Sequence, residues 1–382
     1  MRILIYSHSS VESKAGGGLS AFRFARYLAR SGRDVVQMAP NMSLRHAWAE
    51  VVDDVRIRRI PYYNSNRVQK ALALPMLFAG AMPHVRRCDV LVIYGPIPCY
   101  GVLIIVAKTM RKRVIFRSTV MGQSDVESLI EHYAWTPSVR KWTLGQIDTY
   151  FSMHPAFTAA WVRTFGDDHK VVQTAQGVDT KAFAPVSADE RLALRKELGL
   201  PVDKTIILSV GWMIKRKGFH EIFEAMSGIE RDFCYVVVGG YEASRHHDVT
   251  PELREEMSTL TAQGRRDLGD TLRQEGPRDD VERYMAACDI FLLNSSQEGL
   301  PNVLLEAMST GMCCVVRELD GVDNYLTFNG ENAEVFRDPK GMMEALERVS
   351  NDPERRRRIG DNAAEFIREH FSYEAVARKL FG

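Results

Sequence analysis

A chain of 382 residues, 45% hydrophobic and 26% charged, has the composition of an ordinary folded soluble protein and the length of two or three domains. Its six cysteines form no CxxC pair and no zinc ladder with the ten histidines, which argues against a disulfide scaffold and a structural metal and for scattered thiols in a reducing compartment. The net charge of +1 hides an asymmetry: 24 Lys+Arg against 13 Asp+Glu in residues 1–185 leave +11, and 26 against 36 in residues 186–382 leave −10.

A basic half suits an anionic phospholipid or a phosphorylated acceptor, at about 1 kcal/mol per basic residue near the surface. Alternatively, the opposite charges help the two halves close on each other.

The opening MRILIYSHSS reads as a strand, Arg2 to Tyr6, because its apolar run is too short for a signal peptide and ends in polar residues. No stretch approaches the ~18–20 apolar residues that span a bilayer. A cytoplasmic location is expected, with contact at the inner face of the membrane left open. The loop Ser7 to Gly18 ends in Gly16, Gly17 and Gly18, and a helix is predicted from Leu19 to Ser31 with Phe22, Ala25, Leu28 and Ala29 on one face. Glycines before a helix start let backbone amides approach an anion. A dinucleotide fingerprint is the weaker reading, since the loop is long and the second strand lacks a ribose-binding acid.

Further strands are predicted at Asp34 to Ala39, Val90 to Tyr94, Arg113 to Arg117 and Thr149 to Ser152. The run Ala71 to Met82 is apolar on all sides and precedes His84, Arg86 and Arg87. It reads as a buried helix interrupted by Pro75, with insertion into a membrane surface as the alternative. Pro185 and Pro201 flank a charged run that marks a junction.

The second half repeats the alternation, with strands at Thr205 to Val210, Tyr235 to Val238, Asp289 to Leu293 and Cys313 to Val316, and helices at Phe219 to Met226, Val281 to Ala287, Val303 to Thr310 and Gly341 to Val349. Strands alternating with helices, twice over, predict an α/β protein with two parallel sheets. After the strand at 205–210 comes a loop with Lys215, Arg216 and Lys217, three cations that suit a diphosphate or remain a solvated turn. After the strand at 289–293 comes Asn294-Ser-Ser-Gln-Glu298-Gly-Leu-Pro-Asn-Val-Leu-Leu-Glu306, where a helix opens near Pro301. One carboxylate there can accept from sugar hydroxyls and the other from a ribose. The bland alternative is a capping loop followed by a solvated glutamate.

These segments resemble the retaining glycosyltransferases of family 4 (glycosyl transferases group 1). EGLPNVLLEAMSTG is similar to the signature of two glutamates seven residues apart, VGWMIKRKGF to the strand and phosphate loop, and QGVDTKAF to the NGVDxxxF segment before the junction. GPRDDVERYMAACDIFLLNSSQEG resembles the stretch leading to the signature.

The resemblance implies two Rossmann-like domains facing each other across a cleft, the GT-B type. The first, acceptor-binding, spans 1–185 with a last helix near 372–382 crossing back to it. The second, nucleotide-sugar-binding, spans 186–371. Glu298 and Lys217 are the implied catalytic residues. Donor contacts are implied for Gly17, Gly18, Lys215, Arg216, Lys217, Arg278, Glu298, Leu300, Pro301, Asn302, Val303 and Glu306, with Glu306 on the ribose and Glu298 on the sugar. The donor is expected to be a UDP- or GDP-sugar, and the acceptor a glycan or lipid-linked hydroxyl of cell-surface polysaccharide or glycoconjugate synthesis.

Two departures stand out. Trp212 occupies the place of an arginine, with Lys215 or Arg216 as substitutes, and Met121 that of an acceptor-side histidine, with Gln123 or Asp125 as substitutes. No metal, cofactor or nucleic-acid partner is expected. A nucleotide-sugar epimerase on the same fold and a catalytically degenerate partner subunit are the rival readings.

Overall fold

The computed structural model describes residues 1–8, 16–41, 47–61, 67–97, 100–118, 124–131, 136–227, 232–240 and 250–382. The chain forms two compact units, Met1–Gly177 with Val376–Gly382, and Val178–Ala375. The sequence places the division at 185. Residues 178–185 belong instead to the second unit: the Val178 amide donates to the Phe371 carbonyl, and the Ser309 hydroxyl donates to the Phe183 carbonyl.

In the first unit the order is β1 (Arg2–Tyr6), α1 (Gly16–Arg30), β2 (Asp34–Asn41), β3 (Ala49–Val52), β4 (Val55–Pro61), α2 (Arg67–Arg87), β5 (Val90–Tyr94), α3 (Tyr100–Thr109), β6 (Arg113–Arg117), α4 (Val126–Glu131), α5 (Pro137–Gly145), β7 (Thr149–Ser152), α6 (Pro155–Phe165) and β8 (Val171–Gln173). The described strands form one sheet in the order β3-β4-β2-β1-β5-β6-β7-β8. All neighbours are parallel except β3 and β4, a hairpin turned by Asp53 and Asp54, both at positive φ as a tight two-residue turn demands. Arg26 and Arg30 of α1 pair with these two aspartates, each at 3.2 Å.

The strand β5, Val-Leu-Val-Ile-Tyr, and the centre of β6, Val114–Phe116, are apolar and buried, as expected where helices cover both faces of a parallel sheet. Behind them, Trp161 of α6 stacks on Tyr150 of β7 with ring centroids 4.6 Å apart.

Two expectations change here. The glycines 16–18 are not the end of a loop but the first turn of α1, whose opening amides lack intrahelical partners in either reading. Nor does Pro75 interrupt α2: the helix runs through both Pro75 and Pro83, and Pro75 and Ala79 are exposed while Ala81 and Val85 are buried. Gly80 lets it approach β4, since a Cβ there would lie 3.1 Å from Ile60. No helix among the described residues is long and apolar enough to cross a membrane.

The second unit runs α7 (Ala188–Glu197), β9 (Thr205–Gly211), α8 (Phe219–Met226), β10 (Phe233–Gly239), α9 (Pro251–Leu268), β11 (Leu272–Gly276), α10 (Val281–Ala287), β12 (Ile290–Leu293), α11 (Asn302–Ser309), β13 (Cys313–Arg317), β14 (Glu334–Phe336), α12 (Pro339–Asn351) and α13 (Pro353–His370), after which α14 (Tyr373–Phe381) begins in the second unit and from Val376 belongs to the first. Its described strands form a parallel sheet in the order β11-β10-β9-β12-β13-β14. On α8, Phe219, Ile222, Phe223 and Met226 are all buried, each contributing about 1.5–3 kcal/mol. The helix α7 starts on a capping box between Ser187 and Glu190, and Arg195 at its other end reaches Asp289, 2.7 Å away, just ahead of β12. The described cysteines are free and buried.

Candidate active site at the switch point of the second sheet

From β9 the chain builds outward to β10 and β11 on one side and to β12, β13 and β14 on the other. The order therefore reverses between β9 and β12. Loops leaving the carboxyl ends of two such strands diverge and leave a crevice, the usual ligand site of an open α/β sheet. The basic loop follows β9 and the Glu298 loop follows β12, so the two segments picked out by sequence flank this point.

The backbone at the base of the crevice is glycine for a steric reason. Gly211 and Gly239 are paired at the ends of β9 and β10, at φ 144° and 117°. A Cβ on Gly239 would lie 2.2 Å from the Gly211 carbonyl oxygen. Bare glycine at Gly211 also leaves space for Lys217, whose Cε and Nζ would lie 3.6 and 3.9 Å from a Cβ at that position.

The residues 215–217 form a 3₁₀ turn closed by Gly218 in the left-handed region, φ 72°. Several contacts stitch this turn to the loop after β12. The Ser296 amide donates to the Arg216 carbonyl at 2.9 Å, and the Arg216 guanidinium donates to the Gln297 carbonyl. Asn294, buried at the end of β12, donates from Nδ2 to the Gly218 carbonyl at 3.0 Å and to Glu221 at 2.9 Å. Arg317, at the end of β13, holds the same Glu221 carboxylate at 2.7 Å. From the other side, Glu256 of α9 accepts the Lys215 amide at 2.6 Å.

These contacts bring Lys217 Nζ to 2.5 Å from Glu298 Oε1, with Arg216 Nη1 3.4 Å from the same oxygen. Both side chains of the closer pair are largely buried, 15% and 12% exposed. Burial works to raise the Glu298 carboxyl, but the charge and hydrogen bond of Lys217, the Ser295 hydroxyl and Arg216 outweigh it, and its pKa ends below the ordinary value. Glu298 is thus an anion at neutral pH, able to accept hydrogen bonds from hydroxyls. Lys217, held against it, offers the rest of its hydrogen-bonding capacity to a second acceptor.

The structure places Pro301 at the cap of α11, one position before the first turn in which the sequence reading sets it. Proline has no side-chain acceptor for the opening amides of Asn302 and Val303, and Leu300 lies just ahead of it. Glu306 is buried one turn into α11. Lys215, the first residue of the 3₁₀ turn, is exposed. Arg278 follows β11 at the far edge of the sheet, forked onto Asp280 at 2.9 Å with its guanidinium over the Tyr284 ring, and no described contact brings it to Lys217 or Glu298.

Gly17 and Gly18 open α1 in the first unit. Met121 and Gln123 lie outside the described residues. Asp125 is buried and its two carboxylate oxygens accept the Ser128 amide and hydroxyl at 2.9 and 2.8 Å, so in this structure it caps α4. Sequence reading missed Glu221, Glu256 and Arg317, whose roles arise only when the strand order brings distant residues together. The paired glycines at 211 and 239 were a readable signal.

Residues 190–366 match the family described as glycosyl transferases group 1. Among curated proteins, the chain is 29% identical over 184 residues to the lipopolysaccharide core biosynthesis glycosyltransferase LpsE of Rhizobium meliloti, covering 48% of this chain and 50% of that one. It is 26% identical over 219 residues to LpsD of the same organism, covering 57% and 58%. The chain thus spans little more than half the length of these relatives. In fold it is similar to the crystal structure of Anabaena Alr3699/HepE in complex with UDP, with a TM-score of 0.75, 17% identity, and 100% and 98% of the two chains covered. The fold is of the GT-B type, two Rossmann-like α/β units, and the stretch similar to the glycosyl transferases group 1 model lies within the unit that carries Lys217 and Glu298.

Proposed function

We propose that this protein is a retaining glycosyltransferase that moves a sugar from a nucleoside diphosphate to a hydroxyl of a glycan or lipid-linked acceptor, in the synthesis of cell-surface polysaccharide or glycoconjugate. The observation that carries the reading is the Lys217–Glu298 pair at the switch point of the second sheet, a cation and a carboxylate side by side where a diphosphate and a sugar are joined in such a donor. LpsE and LpsD, named for lipopolysaccharide core synthesis, support the acceptor class, and the UDP bound to HepE supports the donor class.

In this reading Lys217, with Arg216 and Lys215 around it, stabilises the departing diphosphate. Glu298 accepts hydrogen bonds from the sugar, Glu306 serves the ribose, and the opening amides of α11 at Asn302 and Val303 face the phosphates. The bond from the anomeric carbon to the phosphate oxygen breaks, the acceptor oxygen bonds to that carbon on the same face, and the acceptor proton passes to the departing phosphate. Such chemistry asks for charge stabilisation at the leaving group and no resident metal.

A thermal-shift panel of UDP-, GDP- and ADP-sugars tests the donor. A ligand at 100 times its dissociation constant adds about 2.7 kcal/mol of stability. Labelled donor with a lipid-phosphate or oligosaccharide acceptor then tests transfer. Binding to none of the donors would sink the reading, and isomerisation of the sugar without acceptor would replace it by an epimerase.

A further inference from the structure

Gly218, the left-handed residue at which the Lys217 turn passes into α8, lies flush on Asn294. A Cβ at Gly218 would stand 2.3 Å from the Asn294 carbonyl oxygen and 2.4 Å from its Nδ2. Asn294 is 2% exposed, and its carboxamide uses both Nδ2 hydrogens, one on the Gly218 carbonyl at 3.0 Å and one on Glu221 Oε2 at 2.9 Å. Arg317 Nη1 donates to the same Glu221 oxygen at 2.7 Å. The three side chains come from α8 and from the ends of β12 and β13, strands that pair in register up to Leu293 and Val316.

Each link constrains the next. Ser296 and Glu256 hold the backbone of the turn at Arg216 and Lys215, ahead of the lysine, and beyond it Gly218 is held by Asn294. A carboxamide on its own can turn over and present Oδ1, which repels a carbonyl. Beside a carboxylate that is itself pinned by a guanidinium, the turned-over form sets one oxygen against two, so the donating form is fixed.

We propose that Glu221, clamped by Arg317, is a positioning residue of the second unit: by fixing the Asn294 amide it fixes Gly218, and through Gly218 the direction in which Lys217 reaches Glu298. Its consequence for donor binding rests on the functional reading above, which gives Lys217 the diphosphate. Glu221 acts through Asn294, not on the donor.

Glu221→Ala removes the clamp with a good helix former, and Glu221→Gln removes the charge while keeping an oxygen for both donors. The double variant Glu221→Ala/Arg317→Met also takes away the guanidinium that the single alanine leaves alone, and so keeps the net charge. In the full chain, carbon-13 NMR of the Glu298 carboxyl follows its titration, which is set by burial, Lys217, Ser295 and Arg216. Glu298 should become at least about a fivefold weaker acid in Glu221→Ala and in the double variant, as Lys217 moves off, and stay within about twofold in Glu221→Gln. Loss of the Glu221 charge by itself works toward a stronger acid, so a weaker one reports geometry. UDP affinity, by titration calorimetry, should fall about 10-fold in both alanine-bearing chains and stay within about twofold in Glu221→Gln. A Glu298 titration in Glu221→Ala that matches Glu221→Gln overturns the proposal, as does undiminished UDP affinity in a chain that binds UDP. If the unmodified chain binds no UDP, the functional reading falls instead, and the titration still decides whether Glu221 positions Lys217.

Discussion

Lys217 and Glu298 meet across the switch point of a parallel sheet, one from the loop after β9 and one from the loop after β12, and the lysine favours the charged form of the glutamate inside a largely buried crevice. Replacing the lysine, Lys217→Met, leaves the carboxylate in place and takes away the cation assigned to the diphosphate. UDP affinity should fall by about 1.5–3 kcal/mol, roughly 10- to 150-fold, as read by titration calorimetry. An unchanged affinity would move the diphosphate elsewhere.

The same pair should leave a mark on acid stability. The folded pKa of Glu298 lies below its ordinary 4.5, so the stability this confers is complete above that value and is lost as pH falls through the depressed folded value. The stability gap between the unmodified chain and Glu298→Gln should therefore be constant from pH 7 to pH ~5 and narrow below about pH 4. Urea unfolding at several pH values measures it, and a gap that widens on acidification contradicts the assigned ion pair.

Glu306→Gln keeps the shape of a buried side chain on α11 and removes its charge. If its carboxylate serves the ribose, affinity for UDP should drop about 10-fold, equal to about 1.4 kcal/mol, with little change in melting temperature. Retained affinity would withdraw the ribose role and leave Glu306 a structural residue of the helix.

Gly239→Ala should be among the most damaging single-methyl additions in the second unit. The new Cβ meets the Gly211 carbonyl at 2.2 Å, and backbone on both sides leaves nothing flexible to yield. A loss of about 3 kcal/mol or more is expected, against roughly 1–2 kcal/mol for Gly269→Ala, where the strained φ of 50° is the sole obstacle and the space is open. Thermal unfolding of the two variants separates crowding from conformational strain.

Ser187→Ala dissolves the capping box of α7, which is distant in sequence from both loops of the site. It should cost about 1 kcal/mol of stability and leave transfer rates unchanged. A fall in turnover without a fall in stability would tie α7 to the site.

Much of this architecture could be read in the sequence because parallel strands covered on both faces are continuous apolar runs. Val90–Tyr94, the centre of Arg113–Arg117 and Ile290–Leu293 stand out for that reason, as do Lys217 and Glu298, each in the loop after such a run. The hairpin of β3 and β4 did not stand out, since its turn uses Asp53 and Asp54 at positive φ in place of a glycine signal. β11, at the edge of its sheet and rich in polar residues, lacks the apolar run altogether. The prolines of α2 mark a break in sequence that the helix does not make. The supports of the site were invisible for a different reason: Arg317 and Glu221 are 96 residues apart, and only the adjacency of β9, β12 and β13 makes them neighbours.

The first unit is assembled from two stretches of chain with the whole of the second unit between them. Its closing segment, Val376–Gly382, follows the whole of the second unit, and there Phe381 stacks on Phe24 of α1 with ring centroids 6.4 Å apart. A ribosome therefore delivers a complete second unit before it releases the piece that shields Phe24. Until then the nascent first unit carries an uncovered aromatic patch, a natural handle for a chaperone. For the same reason a fragment cut at Gly177 would be a poor stand-in for the unit, whereas a version with residues 376–382 rejoined through a short linker should fold as a soluble piece.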